Sequence, residues 1–133
     1  MADYIDCLGA LAEQRFPIFA SCFGFQGLAV ALGATVRPDP EGAEVGTYEI
    51  RLTDVGLSDP LFRTLPPRFM AQQGHKDRAL ELPGGCHWLA QSERCPYQAI
   101  RFKDALIYAT QFHPELDGAA QSSRFRNYFD LYK

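Results

Sequence analysis

Cys22, His113 and Glu115 are the residues of this 133-residue chain whose types and surroundings could do covalent chemistry. Cys22 closes an apolar run, Ile18-Phe19-Ala20, and is followed at once by a helical pattern in which Phe25, Leu28, Ala29 and Leu32 recur at spacings of three and four. Such an order predicts a strand, a sharp turn and a helix with almost no loop between them. The sulfur then stands at the carboxyl end of the strand and at the amino end of the helix, whose partial positive charge favours thiolate over thiol. Gly24 would let the backbone pass close to whatever the sulfur attacks. Taken alone, Cys22 reads equally well as one more buried small apolar residue.

The second group shifts that balance. Gln111-Phe112-His113-Pro114-Glu115 ends the last apolar strand. Pro114 biases His113 away from helix, so His113 and Glu115 are expected in an extended segment where residues two apart face one side. A carboxylate beside an imidazole sets its tautomer and stabilises its cation. The imidazole can then take a thiol proton and pass it to a leaving amine. Cysteine, histidine and carboxylate, each at a strand end, are the parts of an acyl-transfer triad.

The elements that must position them follow from the pattern. Residues 3–14 form an amphipathic helix with Asp3 at its start and Ile5, Leu8, Leu11 and Ala12 on one side. Short strands are expected at 34–36 and 44–53, a turn at 38–42, and a helix capped by Asp59 with Pro60 in its first turn. A strand over 69–73 delivers Gly74-His75-Lys76-Asp77. Strands at 79–82, 87–92, 97–102 and 106–112 make a hairpin-rich stretch. A final helix over 118–132 carries Phe125, Tyr128, Phe129 and Tyr132 on one face, with Arg124 and Arg126 solvated. Helices alternating with strands argue for an α/β sheet, and no linker or repeat divides residues 1–133.

With 47% apolar residues, net charge −3 and no basic run, the composition argues against nucleic acid and anionic membrane as partners. Cys7, Cys22, Cys86 and Cys95 are widely spread, without a CxxC pair or histidines at ligand spacing. Neither a disulfide framework nor a metal site is expected, nor any cofactor, and a reducing cytoplasm is the default. Cys86, His87 and Trp88 are assigned to packing, and Cys7 and Cys95 to structure.

Ala20-Ser21-Cys22-Phe23-Gly24-Phe25-Gln26 resembles the nucleophile elbow of class I glutamine amidotransferases, G-x-C-x-G-x-Q, and Phe112-His113-Pro114-Glu115 resembles their His-Pro-Glu motif. Glu44-Val45-Gly46, Gly74-His75-Lys76-Asp77 and Cys95-Pro96-Tyr97-Gln98-Ala99 fall in the same order and approximate spacing. The likeness covers 3–116 and is nearest to the stand-alone branch similar to the glutaminase domain of GMP synthase. It implies a doubly wound, mostly parallel α/β sheet flanked by helices, of flavodoxin-like type. It also implies that Cys22 attacks the glutamine side-chain amide to form a γ-glutamyl thioester. His113 would be base then acid, Glu115 its orienting partner, and the Phe23 N–H an oxyanion donor. Gln26, Gly24 and the Gly74-His75 backbone would contact the substrate, with Lys76 and Asp77 at the rim.

Two departures accompany the likeness. Ala20 stands where the family has its first elbow glycine. Family members also carry strands, helices and a second oxyanion loop ahead of the helix at Asp3, so the chain is expected to represent the C-terminal two-thirds of the usual domain. The leading expectation is a glutaminase that supplies ammonia to a synthetase or other acceptor. The alternatives are a hydrolase of other γ-glutamyl amides, or an inactive remnant that binds a partner or forms a homodimer through an uncovered sheet edge.

Overall fold

A computed structural model describes residues 1–117. The expected helix over 118–132, with its aromatic stripe and its two arginines, lies outside the described residues.

The chain opens with α1 (Ala2–Glu13), followed by β1 (Ile18–Ser21) and α2 (Phe23–Ala31). Leu8 and Ala12 are the buried side of α1. Next come β2 (Val36–Pro38), a 3-10 turn at Pro40–Gly42, and β3 (Glu44–Leu52). Helix α3 (Asp54–Ser58) leads to a second 3-10 turn at Phe62–Thr64 and then to β4 (Arg68–His75) and β5 (Asp77–Ala79). Strands β6 (Cys86–Gln91), β7 (Ala99–Phe102) and β8 (Ile107–Thr110) follow.

The main sheet has the order β1-β8-β7-β6-β3-β4, and β2 and β5 form a separate two-stranded ribbon. The α/β class is as expected, and among the described residues the sheet is mixed. Strands β1 and β8 run parallel, whereas the β8-β7, β7-β6, β6-β3 and β3-β4 pairs are antiparallel. The short connections between β6, β7 and β8 require this, because a parallel pair needs a crossover of a dozen or more residues.

The central strands are covered on both faces. Ile107 and Ala109 of β8 pack with Ala20, Phe25, Leu28 and Leu8 under α1 and α2, whereas Tyr108 between them joins Phe62, Leu89 and Ile50 on the other side. Residues alternating between two cores along one strand are the mark of a central strand buried on both faces.

Two expected elements come out differently. The helix expected to start at Asp59 is only the 3-10 turn at Phe62–Thr64, and the α-helix of this stretch, α3, precedes it, capped by Thr53, whose hydroxyl accepts from Gly56 N–H at 3.0 Å. Asp59 caps the 3-10 turn, accepting from the Leu61 and Phe62 N–H groups. The strand expected over 79–82 ends at Ala79 and pairs with β2 rather than folding back on β6. The Arg78–Asp39 ion pair at 2.7 Å and the Asp39 N–H to Lys76 carbonyl bond tie that ribbon together.

Candidate active site

Cys22 occupies the cap between β1 and α2 with φ 54° and ψ −104°, a conformation that a residue with a side chain adopts only under constraint. Its N–H donates to the Thr110 carbonyl at 2.7 Å, and its carbonyl accepts from Gln26 N–H at 3.1 Å. The strand register aligns Ser21 with Thr110, so Cys22 and the segment leading to His113 leave the sheet at the same end of adjacent parallel strands. In α/β sheets this end is where ligands bind.

The glycine at 24 answers to packing. A Cβ there would lie 3.0 Å from the Ala20 methyl and 3.6 Å from the Tyr4 hydroxyl. Packing against α1 and β1 therefore asks for glycine here, beside any close approach to a substrate. Tyr4 also stacks on the Phe23 ring, with centroids 5.6 Å apart. Phe23 is the first residue of α2, where helix geometry leaves the N–H without an intrahelical partner.

His113 N–H donates to the Gln72 carbonyl at 2.9 Å, which fixes the histidine against β4. Its Nδ1 lies 2.7 Å from Glu115 Oε1. Pro114 and Glu115 form a turn rather than the expected extended segment, closed by the Leu116 N–H to His113 carbonyl bond. Proline's fixed φ suits a turn as well as a strand. The turn still brings carboxylate and imidazole together. With a carboxylate accepting at Nδ1, that nitrogen carries the hydrogen and Nε2 presents its lone pair.

The 74–77 corner joins the two groups. Gly74 carbonyl accepts from Cys22 Sγ–H at 3.7 Å. Gln26 Nε2 donates to the Asp77 carbonyl at 3.3 Å and to Gln111 Oε1 at 3.4 Å. That amide nitrogen is therefore engaged by the protein, and Oε1 is the end that could meet a ligand.

Sequence reasoning missed the network behind this corner. His75 points inward, its side chain 1% exposed, so only its backbone faces the elbow. Its Nε2 is 2.8 Å from Oε1 of Glu44, which is fully buried, and its Nδ1 is 2.9 Å from the Asp77 carbonyl. Ser92 Oγ donates to Glu44 Oε2 and Gln98 Nε2 to Glu44 Oε1, each at 2.8 Å. Gln98 Oε1 in turn accepts from Gln73 Nε2 at 3.0 Å. Glu44, His75 and Cys95 also offer ligand atoms within 4.8 Å of one another. Burial, and then the nearby Glu44 charge, push the Cys95 thiol up to about 12. With both carboxylate oxygens already engaged by His75, Ser92 and Gln98, the cluster reads as a hydrogen-bonded network.

The remaining cysteines and histidine separate cleanly from this site. Cys7 is exposed, Cys86 is half-buried with its thiol raised by burial to about 12, and His87 sits 3.4 Å from Asp104 at the surface rather than in packing. Among the described residues no helix is long and apolar enough to cross a membrane.

The fold and this corner define a class: α/β proteins that present a cysteine thiol on a strand-to-helix elbow at the carboxyl end of a parallel strand. Residues 1–130 match the family model of glutamine amidotransferase class-I, and the chain belongs to that family. It is 35% identical over 120 residues to the glutamine-hydrolyzing GMP synthase subunit of Thermococcus kodakarensis, covering 90% of this chain and 62% of that protein. With the protein of the same name from Ignicoccus hospitalis it shares 32% over 132 residues, 98% of this chain and 68% of that one. Among solved structures, a glutamine amidotransferase from Thermotoga maritima superposes with a TM-score of 0.83 at 25% identity, over 95% of this chain and 52% of that one. The chain thus spans about half to two-thirds of the length of these relatives.

Proposed function

We propose that this chain hydrolyses the side-chain amide of L-glutamine, with Cys22, His113 and Glu115 as catalytic residues. The observation that carries the reading is the pairing of a strained Cys22 elbow with a His113 imidazole whose Nδ1 is engaged by Glu115 at 2.7 Å. In this scheme His113 Nε2 accepts the Cys22 proton as Sγ attacks the amide carbon. The oxygen of the tetrahedral adduct takes the Phe23 N–H, an arrangement typically worth ~10²–10³-fold per donor. The imidazolium then protonates the departing nitrogen, ammonia leaves, and the γ-glutamyl group stays on sulfur as a thioester. Water, deprotonated by the same Nε2, attacks the thioester carbon, and glutamate departs as the proton returns to sulfur.

Gln26 Oε1 and the Gly74-His75 backbone would hold the amino-acid end of the substrate; Gly24, packed inward, keeps the elbow tight enough for both. The relatives are named as subunits of a glutamine-hydrolyzing synthase, which supports a synthetase as the partner that receives the ammonia; a cytoplasmic setting goes with that reading. The test is glutamate release from L-glutamine by the purified chain beside Cys22→Ala. Turnover that vanishes in Cys22→Ala is the expected result, and a folded wild-type chain with no turnover would overturn the proposal.

A further inference from the structure

We infer that Glu44 and His75 are positioning residues that anchor the 74–77 corner against the nucleophile, an inference that rests on the proposed role of Cys22. Both lie inside the sheet, on facing positions of β3 and β4, and neither side chain reaches the elbow. Their effect passes through the backbone. The Asp77 carbonyl can only accept, so the His75 nitrogen 2.9 Å from it, Nδ1, carries a hydrogen. Nε2 faces Glu44 Oε1 at 2.8 Å, so one further proton is shared across that contact. The pair is net neutral whichever atom holds the proton.

This arrangement makes the corner depend on the charge at position 44. The Asp77 carbonyl receives His75 Nδ1–H from the core side and Gln26 Nε2–H from the elbow helix. One residue before His75, the Gly74 carbonyl receives the Cys22 Sγ–H. Two residues before that, the Gln72 carbonyl receives the His113 N–H. The segment from Gln72 to Asp77 therefore touches the nucleophile, the helix behind it and the histidine, and Glu44 is what pins it from inside. Ser92 and Gln98 hold the carboxylate in turn.

With Glu44→Gln the carboxylate charge is lost, and a group that accepts at both oxygens becomes one that accepts at a single end. A neutral His75 that keeps Nδ1–H on Asp77 sets its Nε2 lone pair against the amide oxygen, two acceptors face to face, or, with the amide turned, sets the amide NH2 against the Gln98 Nε2 that now donates to Glu44 Oε1, two donors face to face. A cationic His75 would be buried without a counter-charge. Moving the hydrogen to Nε2 abandons the Asp77 carbonyl. Each outcome leaves a buried polar group unsatisfied and loosens the corner.

A carbonyl that accepts Sγ–H holds the thiol form, and the thiolate is the species that alkylating agents capture. The experiment measures the rate of Cys22 carbamidomethylation by iodoacetamide in the full chain, read from the mass of the Cys22 peptide so that exposed Cys7 does not contribute. Glu44→Gln is expected to speed the reaction at Cys22 by roughly two- to tenfold, the effect of one net hydrogen bond. Ile50→Val, which trims a fully buried residue of the same strand, is expected to leave the rate unchanged and so controls for general loosening. An unchanged or slower rate in Glu44→Gln, or equal acceleration in Ile50→Val, would overturn the inference. If Glu44→Gln does not fold, Ser92→Ala decides, because it removes one donor to Oε2 and keeps the charge: faster alkylation supports the anchor and an unchanged rate overturns it. Glutamine turnover by the wild-type chain is read separately, so failure of the proposed function is distinguished from failure of the anchor.

Discussion

Glu115→Gln tests whether the carboxylate orients His113 through its charge. The Nδ1···Oε1 separation is 2.7 Å, the range of a charge-assisted hydrogen bond, whose net worth is ~1.5–3 kcal/mol. Glu115 is half-exposed, with a side-chain accessibility of 50%, so water and salt screen the ionic part and place the contact near the bottom of that range. The amide oxygen of glutamine can still accept from Nδ1–H, and the His113 backbone stays tied to Gln72, so only the charge is lost. At about 1.4 kcal/mol per tenfold, kcat for glutamine hydrolysis should fall about tenfold. KM should hold, because Glu115 faces the imidazole rather than the ligand. The assay is initial-rate glutamate formation at two ionic strengths, with the deficit of the variant shrinking at higher salt. A kcat within twofold of wild type would refute the orienting role. A loss near ~10⁴, the size seen when a buried carboxylate is neutralised, would refute the screening argument.

Other perturbations separate the parts of the site from the parts of the fold. Cys22→Gly should abolish turnover and raise Tm by a few degrees in a thermal scan. It removes a positive-φ side chain whose strain costs ~1–3 kcal/mol, against the ~0.5–1 kcal/mol entropy cost of glycine. Gly56→Ala should be the opposite case, because its Cβ would land on the Leu89 carbonyl oxygen of β6; a loss of more than ~3 kcal/mol by urea titration is expected, beyond ordinary overpacking. In native protein near pH 8, iodoacetamide should modify Cys7 and Cys22 but spare Cys86 and Cys95, whose thiols burial pushes up to about 12. The same two groups fix a sign for stability. Folded and unfolded thiols are both protonated below about 9, and between 9 and 12 the unfolded chain alone ionises. Stability should therefore fall as pH rises through that window, seen as a declining Tm.

How much of this was legible depends on which residues speak locally. Cys22 follows a short apolar run and precedes a helical spacing, and both are properties of a few neighbouring residues, so the elbow could be read directly. His113 was likewise marked by its proline and carboxylate. Glu44 entered only through the family likeness and was given no role, although a local signal existed. Ile50 and Leu52 are buried, and counting down by twos reaches Tyr48, Gly46 and Glu44, whereas the apolar Val45 is 53% exposed. Strict parity would have turned Glu44 inward, and the same step along β4 from Ala71 turns in Gln73 and His75. What parity could not supply is the register that sets Glu44 opposite His75, since cross-strand pairing over thirty-one residues leaves no local trace.

The same distinction explains why a strained cysteine persists. A backbone at φ 54° and ψ −104° relaxes unless its surroundings over-determine it. On one side β1 is locked to β8 through four aligned pairs, and the Cys22 N–H completes that ladder at Thr110. On another, Ala20 and Tyr4 leave no room at Gly24 for the helix to swing away. The end of β4 closes the third side, where Gly74 meets the sulfur and Gln72 meets His113. The first two constraints are apolar and ladder contacts that any buried element makes, and they would hold an inert residue equally well. The third is polar and traces back to a buried carboxylate that a chain built only for stability would do better to replace with a hydrophobic residue. Its presence at that position makes sense when the alignment of β4 with the thiol matters more than the few kcal/mol a purely apolar interior would contribute.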